Sequence, residues 1–157
     1  MPIFDMHAHL TPECFRRGVQ SGGLWNGMTS SVGELGNPRD SWIVVQRMQE
    51  MDSLGIDVQV VSTVYAFYRY EDDLSTAIAI AQDCNNEVAQ MTRDHSTSVH
   101  GSMQPADAGR LGVDRRVGAR MTELGLKGAM INDHVNGKTY DEPDLFPPGR
   151  RQSVLAL

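Results

Sequence analysis

The sequence predicts an α/β fold built on a parallel sheet, from three observations. Short β-compatible runs recur along the chain, clearest in "VQVVST" (58–63). Between them lies a helical stripe in which Leu74, Ala77, Ile78, Ala81, Cys84, Val88 and Met91 fall at steps of three and four. The links between runs are long enough for crossover helices, as right-handed βαβ units require. An open doubly wound sheet and a (β/α) barrel both satisfy this pattern, and in either one ligands gather at the carboxyl ends of the strands.

Taken in order, Pro2 to Met6 is short and apolar and reads as the first strand. Residues 11–41 read as irregular, with "SGG", "WNG" and "LGNPRDS" supplying turn chemistry. So long a loop inside a domain is more often functional than idle. Asp40 or Ser41 caps a helix that carries Val44, Met48 and Met51 to about Leu54, where Gly55 stops it. "VQVVST" is the second strand and the 74–91 stripe the next helix. "SVHG" (98–101) is a weakly marked third strand. "LKGAMIN" (126–132) is another, followed by the turn-rich "DHVNGKTYDEPD".

Composition bounds the function. The chain has 157 residues, 40% hydrophobic and 22% charged, with a net charge of −6. That balance argues against a nucleic-acid or anionic-membrane surface, which needs a basic patch. No apolar run approaches the roughly 20 residues of a membrane span, and the amino terminus lacks the basic-then-apolar pattern of a secretory signal. Cys14 and Cys84 lie far apart, outside any C-x-x-C spacing, and read as free thiols of a cytoplasmic protein. Cys84 falls on the apolar helix stripe as a buried small hydrophobe. No G-x-G-x-x-G or P-loop supports a nucleotide site.

The chemistry begins at "FDMHAHL". Side chains alternate on a strand, so His7 and His9 share a face, with Asp5 below them. Their Cα atoms stand about 6–7 Å apart, and two imidazoles on that base can converge on one divalent ion. The spacing alone is weak, since a hydrogen-bonded histidine pair near a strand end satisfies it equally. Position strengthens it: first strand, carboxyl end, long polar loop directly after.

"FDMHAHLTPE" resembles the opening of the amidohydrolase superfamily, within it the branch of aminocarboxymuconate semialdehyde decarboxylase and related non-oxidative decarboxylases. The likeness continues in "RMQEMDSLGIDVQVVST", "NNEVAQMTRDH" and "ELGLKGAMINDHVNGKTYDEPDLFP", reaching Pro147. The resemblance implies a TIM-type (β/α)8 barrel with one divalent metal, usually zinc, for which His7 and His9 supply two ligands. In such enzymes the metal lowers the pKa of a bound water and polarises a substrate carboxylate or carbonyl. The outcome is decarboxylation or hydrolysis of a small, carboxylate-bearing substrate. His134 and Asn136, past the "LKGAMIN" strand, are candidates for the substrate side; shaping a turn with Gly137 is the alternative. His95 reads as a helix C-terminal cap favoured by the dipole. Arg47 could pair with a substrate carboxylate, but it and Asp52 read as solvated helix positions, and Trp25 and Trp42 as loop packing or pocket walls. The partners expected are a small-molecule substrate and, compatibly, another copy of the chain, with no nucleic acid or membrane.

A full barrel takes roughly 250 residues, so the chain is expected to hold about its first half. Residues 1–147 form the amino-terminal part of the barrel and 148–157 an unpatterned tail. By the family pattern the later ligands lie beyond Leu157: a histidine after the fifth strand, usually another after the sixth, and an aspartate after the eighth. A metal-binding fragment or inactive remnant without turnover is therefore the alternative function. "MQPADAGRLGVDRRVGAR" (103–120) shows no helical period where the family has a helix. Shifted by one nucleotide, it and the tail can read "LPTQDVSASIDELERA" and "PWKAAERLGAL", both family-like. Single-base slips, compensated around 102–120 and uncompensated near Pro147, are the corresponding expectation.

Overall fold

A computed structural model describes residues 1–35, 37–106, 115–139 and 142. Four strands form one sheet in the order β1 (Phe4–Leu10), β2 (Val58–Thr63), β3 (Val99–Met103), β4 (Gly128–Ala129), every neighbouring pair parallel. The crossovers carry α2 (Val44–Leu54) from β1 to β2, α3 (Leu74–Asp94) from β2 to β3, and α4 (Arg115–Leu124) from β3 to β4. Each strand lies beside its predecessor and the order never reverses. That is the winding of a barrel, not of a doubly wound sheet with its switch point.

Local chemistry explains the elements. Helix α3 begins where the Asp73 side chain accepts the Thr76 N–H at 3.1 Å. It buries Ala77, Ile80, Ala81, Cys84, Val88 and Ala89, Val88 and Ala89 in the core against the sheet. Leu74 and Ile78, expected on that face, are exposed, and Ile80 takes the buried position instead. Helix α2 ends at Gly55, whose φ of 69° is the left-handed cap that glycine adopts without penalty. Its start differs from expectation. Asp40 is buried within a short 3-10 turn, Pro38–Ser41, capped by Asn37, and Ile43 precedes α2.

The 11–41 segment is more ordered than its composition suggests. It holds a short helix, α1 (Glu13–Gly18), and several 3-10 turns. Phe15 from α1, Trp25 and Phe67 meet edge-to-face, with centroids 5.0–6.1 Å apart. With Val19, Met28, Val64, Ile80 and Cys84 they form a core under the loop. The main core lies between sheet and helices: Ala8, Leu10, Val61, Val88, Val99, Leu124 and Leu126. Helix α4 corrects the reading of 103–120 as lacking helix. Leu124 is buried, and Met121, three residues before it, packs on the main core. The centre of the 102–120 segment (107–114) and the 148–157 tail lie outside the described residues, and so do the frame-shifted readings that fall on them.

Candidate metal centre

β1 is irregular where it matters. Asp5 pairs with Gln59 and Ala8 with Val61, so β1 spends one residue more than β2 across this interval. This is a β-bulge, a device that re-aims side chains and often lies beside active sites. Asp5 meets Gln59 on one face of β2, while His9 meets Ser62 on the other. The expectation that Asp5 sits below the imidazoles is thereby corrected: simple alternation fails across the extra residue. Ala8 and Leu10 enter the core, and His7 and His9 face the opposite side.

The two rings converge. Their Nε2 atoms lie 3.0 Å apart, with ring planes at 83°. Two nitrogens on one tetrahedral ion at 2.0–2.1 Å stand about 3.4 Å apart, so the pair meets that spacing with a few tenths of an ångström of adjustment. His9 Nδ1 lies 3.0 Å from Ser62 Oγ, the outer contact that fixes ring orientation in metal-ligating histidines. Burial, and secondarily the neighbouring His7, lowers the His9 pKa. The neutral imidazole is thereby favoured, and that is the ligating form. Among the described residues no group of three or more histidine, cysteine or acidic side chains gathers in metal-binding geometry.

A cleft of about 380 Å3 borders the pair, lined also by Asn37, Arg39, Trp42 and Tyr65. Trp42, read as pocket wall or loop packing, is a wall, with the Arg39 guanidinium 5.7 Å over its ring. Trp25 is packing. Arg47, read as a solvated position, is 6% exposed. It donates to Gln59 Oε1 at 2.6 Å and to the His9 carbonyl at 2.7 Å. A signal for it existed: Arg47 lies four residues before buried Met51, on the inward side of α2. Ser62 and Gln59 gave no signal, because strand pairing decides what they touch.

His134 and Asn136 lie elsewhere. Strands β5 (His134–Val135) and β6 (Lys138–Thr139) form a hairpin around Asn136 and Gly137, both at positive φ (50° and 76°), as the tightest hairpin turn requires. His134 is mostly exposed, with Nδ1 2.7 Å from Asp133. Both residues line a second cleft of about 220 Å3 beside Tyr68 and Arg69. Tyr65 borders both clefts. His95 is the C-cap of α3, as expected. No helix among the described residues is long and apolar enough to cross a membrane.

The comparisons agree with this architecture. The amidohydrolase family model matches residues 4–153. A 2-amino-3-carboxymuconate-6-semialdehyde decarboxylase from Dictyostelium discoideum is 33% identical over 110 residues, covering 68% of this chain and 30% of that protein. Among solved structures, 5-carboxyvanillate decarboxylase from Sphingomonas paucimobilis superposes with a TM-score of 0.67 at 22% identity, over 93% of this chain and 47% of the other. A dihydroxybenzoic acid decarboxylase from a Polaromonas species, solved with manganese and an inhibitor, gives 0.68 at 17% identity over 93% and 44%. The chain thus spans less than half the length of these relatives. A parallel sheet wound without reversal, an H-x-H on its first strand and a family match along nearly the whole sequence lead to one conclusion: the chain belongs to the amidohydrolase family.

Proposed function

We propose that this chain carries the amino-terminal ligand pair of a metal-dependent decarboxylase or hydrolase acting on a small, carboxylate-bearing, aromatic-type substrate. The observation that carries the reading is the approach of His7 and His9 Nε2 to 3.0 Å beside an open cleft. Zinc is the ion this pair favours, since imidazole nitrogen suits it well; manganese, bound by two of the solved relatives, is the competitor. When bound, such an ion supplies Lewis-acid polarisation of a carboxylate or carbonyl oxygen. The chain's own contribution is to hold both imidazoles converged, to favour the neutral form of His9, and to wall the cleft with Trp42 and Tyr65. Arg39 at the rim, paired with Glu50 at 3.1 Å, is the guanidinium to which an anionic substrate would turn. His134 and Asn136 serve the substrate side from the second cleft, through Tyr65 where the clefts adjoin.

A second reading, metal binding without turnover, is favoured by one observation. Two imidazoles fall one short of the three protein ligands usual in catalytic zinc sites, and no third donor joins them among the described residues. Cytoplasmic residence is supported by two free cysteines. The test is metal content by mass spectrometry after loading with zinc or manganese, together with carbon dioxide release from dihydroxybenzoate and carboxyvanillate. Metal retained by the parent but not by the doubly substituted His7→Ala, His9→Ala protein supports the ligand pair. Turnover then separates the enzyme from the fragment. Equal metal content in both proteins sinks the reading.

A further inference from the structure

Next to the imidazoles, among side chains that line the same cleft, runs a chain of hydrogen bonds that ends twice on this strand. Arg47 donates one guanidinium nitrogen to the His9 carbonyl at 2.7 Å and another to Gln59 Oε1 at 2.6 Å. Gln59 Nε2 donates to Asp5 Oδ2 at 2.8 Å, and Asp5 Oδ1 accepts the His7 N–H at 3.1 Å. Both backbone groups reached belong to the two histidines themselves.

We propose that Arg47, Gln59 and Asp5 are positioning residues that lock the β1 bulge in the one register that pairs His7 with His9. The proposal rests on the reading of these imidazoles as a ligand pair.

Packing alone does not account for Arg47. It is 6% exposed, forms no ion pair with a carboxylate among the described residues, and its Nε has no hydrogen-bond partner there. Burying a charge in this way is costly, and an apolar side chain beside Met51 would fill the space at lower cost. What an apolar side chain cannot do is hold the His9 carbonyl and, through Gln59 and Asp5, the His7 amide. The bulge creates the need for that hold. A bulge leaves the ladder locally unpaired, and a slip of one residue would turn every side chain beyond it to the other face. Here such a slip would send His7 and His9 toward the helices and take Ala8 and Leu10 out of the main core. The hydrogen-bond chain ties the residues on either side of the extra one, while Ser62, on the other face of β2, holds the His9 ring.

The experiment uses the full 157-residue chain and two variants, Gln59→Met and Asp5→Asn. Zinc affinity is measured by competition with a chromophoric chelator, the metal-free ring nitrogens by 15N NMR of labelled histidine, and folding by urea titration. Gln59→Met is expected to weaken zinc binding about 10–100-fold, the range typical for outer contacts of ligating histidines. It is also expected to shift the ring resonances of His7 and His9 without metal. Asp5→Asn, which loses one of two accepting oxygens, falls between. Ile80→Val, in the other core cluster, controls for lost stability alone and leaves both readouts at parental values. Parental zinc affinity and parental ring spectra in both variants overturn the proposal. Should the parent bind no zinc, the ligand reading fails, and the ring spectra still decide whether these residues hold the pair. Should Gln59→Met not fold, Asp5→Asn decides alone.

Discussion

His9 shows how a single residue's surroundings become a pH dependence. Its pKa is held below the ordinary 6.5 by burial first and His7 second. The folded protein therefore takes up this proton at lower pH than the unfolded chain does. Stability is full above about pH 6.5 and falls as pH drops toward the lowered folded value, because the unfolded state binds more protons there. Urea midpoints at pH 7.5 and 5.5 should differ in that sense, and His9→Gln should flatten the difference. Cys14 gives a second expectation. Burial, then the Glu87 carboxylate, pushes its thiol up to about 12, so thiolate is scarce at pH 8. Iodoacetamide should label Cys14 slowly in the folded protein and readily in urea, with Glu87→Gln raising the folded-state rate. Rapid labelling of the native protein would contradict the described environment.

At the level of elements, β3 and α3 are joined more closely than any apolar pattern reveals. A methyl group on Gly101 would stand 2.5 Å from Val88 Cγ1 and 2.6 Å from Leu126 Cδ2. Gly101→Ala is therefore expected to cost about 1–3 kcal/mol by overpacking, measured by urea unfolding. Nearby, buried Asn85 accepts the Gln104 N–H and donates to the Gln104 carbonyl, both at 2.7 Å. Asn85→Leu would orphan two buried backbone groups and should cost about 2 kcal/mol or more; a smaller loss would mean water enters the site. The elements that sequence reading found, β2 and α3, are those whose side chains repeat with a clear period. Those it missed or misplaced depend on something other than period. Arg47 breaks a stripe it belongs to, α1 is too short to show one, and the bulge leaves no mark because the residue letters run on unchanged through it. The histidine pair and its capacity to converge were legible from the strand spacing; the turn of Asp5 to the opposite face was not.

For the whole molecule, the strand alternation made a parallel α/β sheet legible; the barrel was legible through the family resemblance, and the strand order, which no local pattern contains, agrees with it. The described sheet has a consequence for behaviour in solution. Among the described residues β1 pairs only with β2, and its outer end exposes Phe4 and Met6, 51% and 41% accessible. An open, apolar strand edge invites pairing with another chain. Sedimentation should show concentration-dependent association, reduced by Phe4→Lys; an unchanged monomer at high concentration would argue that this edge is covered. The pairing of β1 with β2 also bears on synthesis. β1 must wait until about fifty further residues have been added, roughly 3–10 s at ribosomal speed, before its partner exists. From its emergence until β2 follows it out of the ribosome, the segment bearing both histidines has no sheet partner, and a holdase chaperone can occupy it. Chaperone occupancy during translation would then help set how many chains reach the paired register.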